Sequence, residues 1–249
     1  MTQTDPSRQF RVGAATDIGR KRSQNQDSIS SRIELGLFVV ADGMGGHRGG
    51  ETASQMAVAA IPEVVEHCQV DPNWHPRNVI AQAIRKANEN IYTRSQNDPA
   101  LQGMGTTSVA LLFKDNCLTI GHVGDSRAYF IRDGGIWQIT RDHSLVQEKL
   151  RAGIISRDEV KTDRMKNVIT RSVGFEAVVN VEVYEMETRP GDKFLICSDG
   201  LSGLVEDEQI LSLMRDDPQH SVQELIAAAN ANGGDDNIST IVVEVLEKH

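Results

Sequence analysis

Short apolar runs punctuated by Gly, Pro and Asp alternate along this chain with longer stretches whose apolar residues return every three or four positions. Residues 9–16 (QFRVGAAT) and 35–41 (LGLFVVA) read as strands. Two helical stretches follow, and in the second Ile80, Ala83, Ile84, Ala87 and Ile91 define one apolar face. Three further strands are predicted at 107–113 (TSVALLF), 117–123 (CLTIGHV) and 127–132 (RAYFIR); Asp133-Gly134-Gly135 turns the last into IWQIT as a hairpin. Residues 144–152 read as a helix stopped by Gly153, and Ser156 with Glu159 makes a capping box for a shorter one. In the last third VVNVEVYEM alternates as a strand, Arg189-Pro190-Gly191-Asp192 turns, and KFLIC is a buried strand. Ser221 and Glu224 cap a helix through Leu225, Ile226 and Ala229 that ends at Gly233-Gly234, and NISTIVVEV closes as a strand. Batches of strands alternating with pairs of helices predict antiparallel sheets with helices layered outside them.

No repeat, low-complexity tract or long linker divides the 249 residues, so a single domain over 1–249 is expected. Hydrophobic residues make up 39% and charged residues 24%, enough to bury a sizeable core. The net charge of -9 argues against nucleic acid as a partner, since phosphate backbones call for a basic surface. No run approaches the roughly 18 apolar residues of a membrane span, and the polar opening MTQTDPSRQF lacks the apolar centre of a signal peptide. Cys68, Cys117 and Cys197 are widely spaced, which fits reduced thiols in a cytoplasmic protein.

Candidate chemistry lies in the aspartates. Asp42 follows LFVVA and precedes Gly43, while Asp199 follows FLICS and precedes Gly200. Each ends an apolar strand, and each glycine lets the backbone turn sharply or approach a ligand closely. Asp133-Gly134, between two strands, needs nothing beyond a hairpin and acts as an internal control. Asp27, Asp125 and Asp236 are three more candidates; singly, each reads as a turn or cap carboxylate. Brought together, the five would require cations to offset their repulsion. An all-oxygen set selects hard ions such as Mg²⁺ or Mn²⁺, whereas zinc finds neither an HxxxH nor a close Cys pair.

Taken in order, Arg22…Asn25-Gln26-Asp27, Ala41-Asp42-Gly43-Met44-Gly45-Gly46-His47, Gly103-Met104-Gly105-Thr106-Thr107, Gly124-Asp125-Ser126-Arg127, Ser198-Asp199-Gly200 and Asp236-Asn237-Ile238-Ser239 closely resemble the type 2C, or PPM, protein phosphatases, nearest to their bacterial branch. The resemblance runs from about residue 10 to 246. It implies an α+β fold, a four-layer α-β-β-α sandwich of two antiparallel sheets flanked by helices. It further implies that Asp42, Asp199 and Asp236 ligate two divalent ions, Mn²⁺ or Mg²⁺, with Asp42 bridging and the Gly43 carbonyl contributing. Asp27 matches an outer acidic position, Asp125 with Asp199 a third and weaker ion site, and Arg22 the arginine that grips the substrate phosphate. Two such ions lower the pKa of a shared water, which attacks phosphorus in line while the ions and Arg22 balance charge on the phosphoryl oxygens. The activity implied is hydrolysis of phosphoserine and phosphothreonine by a cytoplasmic monomer. Its partners are then phosphorylated proteins, Ser/Thr kinases and their substrates among them, with neither nucleic acid nor membrane. A catalytically weak phosphoprotein-binding module on the same fold is the alternative; loss of ligand aspartates would mark it, and the three principal ones are present.

Two positions depart from the wider family. Gln26 stands where many members carry Glu, removing one negative charge, and Met44 stands where eukaryotic members place a His proposed as general acid. His47 lies three residues on and is expected to serve the loop or helix start instead. A Cys-dependent phosphatase would need Arg six residues after its Cys, where this chain has Trp74, Val123 and Gly203. No GxxxxGK[ST] loop is present, and Gly43-Met-Gly45 leads to Arg48 where a dinucleotide fingerprint needs Gly. Residues 141–171, which the resemblance makes a flap beside the active site (about 143–170), hold eight Lys or Arg against five Asp or Glu. This local +3 suits recruitment of acidic phosphopeptides, and equally a solvated helix surface.

Overall fold

The LFVVA run is apolar at every position because both faces of its strand are covered. In β3 (Leu37–Met44), Leu37, Val39 and Ala41 pack under the helices α1 (Gly46–Cys68) and α2 (Pro76–Asn97), while Phe38 and Val40 point into a second apolar layer. The α2 face predicted from its spacing, Ile80, Ala83, Ile84, Ala87 and Ile91, is fully buried on this sheet. The computed structural model describes residues 9–160 and 162–247.

β3 lies in a six-stranded sheet with β2 (Asp27–Arg32), β5 (Ser108–Lys114), β6 (Cys117–Val123) and β9 (Glu182–Glu187), ordered β2-β3-β5-β6-β9, and the short β4 (Gly105–Thr106) pairs with the end of β3. The second sheet has five strands: β1 (Phe10–Asp17), β11 (Ile238–Val245), β10 (Lys193–Cys197), β7 (Arg127–Arg132) and β8 (Gly135–Gln138), in that order. Every strand pairing is antiparallel. Between the sheets Phe10, Phe38, Phe113 and Phe194 gather with ring centroids 4.7 to 6.0 Å apart. The outer face of the five-stranded sheet is covered by α5 (Asp199–Ser202), α6 (Asp207–Ser212) and α7 (Pro218–Ala231), through Leu201, Ile210, Val222 and Leu225. This is the four-layer α-β-β-α sandwich, with α3 (Leu145–Arg151) and α4 (Arg157–Val160) in the segment that follows β8.

Several boundaries differ from expectation. Helix α7 starts three residues before Ser221, because Pro218 occupies its first turn and the Asp217 carboxylate accepts from the Gln219 N–H at 3.1 Å. Ser221 Oγ instead accepts from the Arg215 N–H at 2.8 Å. β9 begins at Glu182 rather than at Val178, since Val179 and Val181 are buried beneath the helices in chain that pairs with no strand. The Ser156 N–H and hydroxyl both donate to Glu159, as the capping box predicts. Asp133 (φ 49°) and Gly134 (φ 75°) form a turn with both central residues left-handed, so the control Asp-Gly is a hairpin turn. Among the described residues no helix is long and apolar enough to cross a membrane.

Candidate active site

One end of the sandwich collects the aspartates. Asp27 opens β2 and stands directly opposite Asp42 of β3. Asp125 sits in the turn that carries the chain from β6 in one sheet to β7 in the other. Asp199 follows β10, and Asp236 precedes β11. Asp27 and Asp42 therefore belong to the six-stranded sheet, whereas Asp199 and Asp236 flank strands of the five-stranded one.

Local bonding fixes each in place. The Asp42 N–H donates to Thr107 Oγ1 (2.9 Å), and its carbonyl accepts from Thr106 Oγ1 and from the Thr107 N–H (both 2.8 Å). Gly43 is required here: a Cβ would lie 2.0 Å from the Gly50 carbonyl oxygen, where the first turns of α1 cross the strand. At Gly200 a Cβ would meet the Asn237 carbonyl oxygen at 2.0 Å, which brings the Asp199 and Asp236 loops together. Asp236 Oδ1 accepts from the Asn237 N–H at 2.8 Å, and its Oδ2 accepts from Arg22 Nη2 at 2.6 Å. The side chain of Asn237 accepts from the Gln26 N–H and donates to the carbonyls of Ile18 and Gln24, pinning the loop that carries Arg22.

Arg22, Asp42, Gly43, Asp125, Asp199 and Asp236 line one open cleft of about 480 Å³, joined by Met44, Thr107 and Asn237 and, from the flap, by Asn167 and Ile169. Asp27 is not on its wall. It lies 7% exposed behind Asp42 and accepts a hydrogen bond from Ser198 Oγ at 2.8 Å. Met44 borders the cleft, and His47 is the second residue of α1. Cys197 is buried, and burial pushes its thiol up to about 12, so it is an inert strand residue.

The carboxyl groups disfavour one another's ionisation. Burial, then the charges of Asp27, Asp199, Asp125 and Asp236, push Asp42 well above the usual carboxylate range. Asp27 rises to about 7 through burial, against hydrogen bonds from Ser239 and Ser198 that favour its charged form. Asp125 rises to about 8, from burial and then from Asp199 and Asp142. Asp199 rises by burial and by Asp236, an effect that a hydrogen bond with Asp42 opposes. One oxygen each of Asp27 and Asp199 is buried with no hydrogen-bond partner. Orphaned carboxylate oxygens in a like-charged cluster fit a site for hard divalent cations. No three of the five aspartates bring oxygens within 4.8 Å of one another, so the four on the wall, Asp42, Asp125, Asp199 and Asp236, surround the cleft rather than converge on a point. Among the described residues the single group that does meet this distance is His122, His143 and Glu182.

Comparison with known proteins bears on the family and the fold. Residues 18–242 match the family described as protein phosphatase 2C. The serine/threonine protein phosphatase PstP of Mycobacterium tuberculosis is 37% identical over 240 residues, covering 96% of this chain, and this chain spans 45% of the length of that protein. The serine/threonine phosphatase stp of Listeria monocytogenes serotype 4b is 34% identical, with 92% of this chain and 93% of the relative covered. The crystal structure of the PstP catalytic domain in complex with two manganese ions superposes with a TM-score of 0.87 at 37% identity, covering 96% of this chain and 99% of that one.

Proposed function

From the membership of this chain in the protein phosphatase 2C family, we propose that it hydrolyses phosphoserine and phosphothreonine esters of proteins, using two divalent ions, Mn²⁺ or Mg²⁺, held in the aspartate cleft. The observation that carries this reading is the placement of Asp27 directly opposite Asp42, with Asp199 and Asp236 brought against them from the other sheet. Like charges facing each other across a strand pair destabilise a sheet unless something neutralises them. The crystallographic relative with two manganese ions supports the same metal count here.

In this reading Asp42, Asp199, Asp236 and the Gly43 carbonyl hold the two ions, and Asp125 with Asp199 serves a third. When bound, the ions supply an activated water nucleophile and positive charge for the phosphoryl oxygens. Thr106 and Thr107 hold Asp42 at a fixed depth through its backbone, so its carboxylate reaches the cleft with little freedom. Arg22 donates one N–H to Asp236, which keeps the guanidinium at the cleft beside the ligand set. Its planar fork has further donors for two phosphoryl oxygens, which a lysine would serve less well. The Met44 thioether borders the cleft and carries no proton, so this position offers the leaving serine oxygen no acid.

Hydrolysis of an aryl phosphate and of a phosphothreonine peptide, each with Mn²⁺, Mg²⁺ or EDTA, tests the proposal. Turnover is expected to need metal and to fall at least about 100-fold in Asp199→Asn. Activity unchanged in EDTA would overturn the metal mechanism. Absence of turnover with every metal, alongside retained phosphopeptide binding, would make the chain a binding module.

A further inference from the structure

Two buried imidazoles bracket the Asp125 turn. His122 is the last residue but one of β6 and fully buried, and His143 is 7% exposed at the base of the flap. Their ring centroids are 4.7 Å apart with planes 32° from parallel. His143 Nδ1 accepts from the Gly124 N–H at 3.0 Å, and the His143 N–H donates to the Gly124 carbonyl at 2.8 Å. On the other side of Asp125, His122 Nε2 lies 3.0 Å from the Ser126 carbonyl. A backbone N–H is always a donor and a carbonyl always an acceptor, which makes His143 Nδ1 an acceptor and His122 Nε2 a donor. His143 Nε2 lies 3.2 Å from a Glu182 carboxylate oxygen and 3.0 Å from Arg171 Nη1. His122 is protonated at Nε2, and its Nδ1 is buried with no partner. A ring kept at full burial with one nitrogen orphaned is retained for the bond made by the other.

The same residue closes the flap. The His143 carbonyl accepts from the Thr170 N–H at 2.8 Å, and Ser144 bridges to Ile169. A metal ion among His122, His143 and Glu182 is disfavoured, because the Arg171 guanidinium lies 3.0 Å from His143 Nε2 and 3.6 Å from Glu182, where a second cation would have to sit. Burial, then the neighbouring His143, holds His122 down to about 3, and burial, then Arg171, lowers His143, so both rings are neutral near pH 7.

We propose that His122 and His143 are positioning residues that hold the backbone on either side of Asp125, at the Gly124 N–H and the Ser126 carbonyl, present its carboxylate to the cleft, and tie that carboxylate to the base of the flap. The consequence for metal binding rests on the phosphatase reading above; the claim about the turn does not. Gly124 adopts φ +108°, a conformation that favours glycine and that these bonds maintain.

Two measurements test this. Hydrogen exchange at the Gly124 amide, made without metal, reads the turn directly; Mn²⁺ titration calorimetry reads the ion site assigned by comparison with Asp125→Asn. An Asn places its oxygen near the position of Nδ1 and a Gln its amide nitrogen near that of Nε2, so rescue should be crossed. His143→Asn and His122→Gln are expected to stay within about threefold of wild type. His143→Gln and His122→Asn should accelerate Gly124 exchange at least tenfold and weaken the Asp125-dependent Mn²⁺ site by about 10- to 100-fold, the usual loss when a ligand's supporting partner is removed. Folded variants that show equal effects for Asn and Gln at each position, or wild-type Gly124 exchange in the two disruptive ones, would overturn the proposal. If the unaltered chain neither binds Mn²⁺ nor hydrolyses phosphate esters, the phosphatase reading fails and the exchange pattern still decides the claim about the turn.

Discussion

At the scale of single residues, the burial of Asp27 and Asp125 makes the metal-free protein sensitive to pH in an unusual direction. Asp27 is raised from 3.8 to about 7 and Asp125 from 3.8 to about 8, chiefly by burial. Between about pH 4 and 8 the folded chain therefore binds protons that the unfolded chain has released, and its stability falls as pH rises. In EDTA the melting temperature is expected to drop by at least about 4 °C between pH 5.5 and 8, and saturating Mn²⁺ to remove that slope. A flat profile in EDTA would show that the carboxylates are not held in this way. The aspartates themselves were legible in the sequence because Asp42 and Asp199 each combine an apolar strand, a carboxylate and a glycine. Their supports were not. Ser198 reaches Asp27 across 171 residues and Asn237 reaches Gln24 across 213, and nothing local announces a bond of that span.

Among the elements, the flap is where charge and conformation meet. Its Lys149 is paired with Asp163 at 2.8 Å inside the segment, and Arg171 packs against His143 and against Glu182 beyond it, so the second contact offsets part of the segment's cationic excess from outside. Arg164 and Lys166 are exposed beside Asn167, which borders the cleft, while Lys161 lies outside the described residues. Replacing Arg164 and Lys166 together with Ala is expected to raise KM for a phosphoprotein several-fold and to leave that for a small aryl phosphate nearly unchanged. Equal effects on both substrates would return these side chains to the role of a solvated surface. Element types followed the periodicity closely where packing enforces it, as in α2. The strand β2, sequence DSISSR, has no signal in the sequence, because its side chains are mostly polar and the ladder with β3 makes it a strand. The start of α7 is ambiguous in the sequence because Asp217-Pro218 and Ser221…Glu224 both have the chemistry of a cap, and proline in the first turn decides between them.

Across the whole molecule, two kinds of force hold the sheets together at opposite ends. Away from the cleft the phenylalanine cluster is buried, with its rings in mutual contact; Phe194→Ala is expected to cost about 3–5 kcal/mol in urea unfolding while leaving Mn²⁺ affinity within about threefold of wild type. A large loss of metal affinity in that variant would mean the two ends are not independent. At the cleft, by contrast, the facing groups are carboxylates drawn from both sheets, Asp42, backed by Asp27, from one and Asp199 and Asp236 beside the other. In the proposed reading the ions would do more than assist chemistry. They would act as a clasp on a book whose spine is the aromatic core, and chelation would let the covers part at the catalytic edge alone. Amide exchange in EDTA should then quicken around residues 125, 199 and 236 and stay slow around Phe10, Phe113 and Phe194, so that a protein starved of metal is left ajar rather than unfolded.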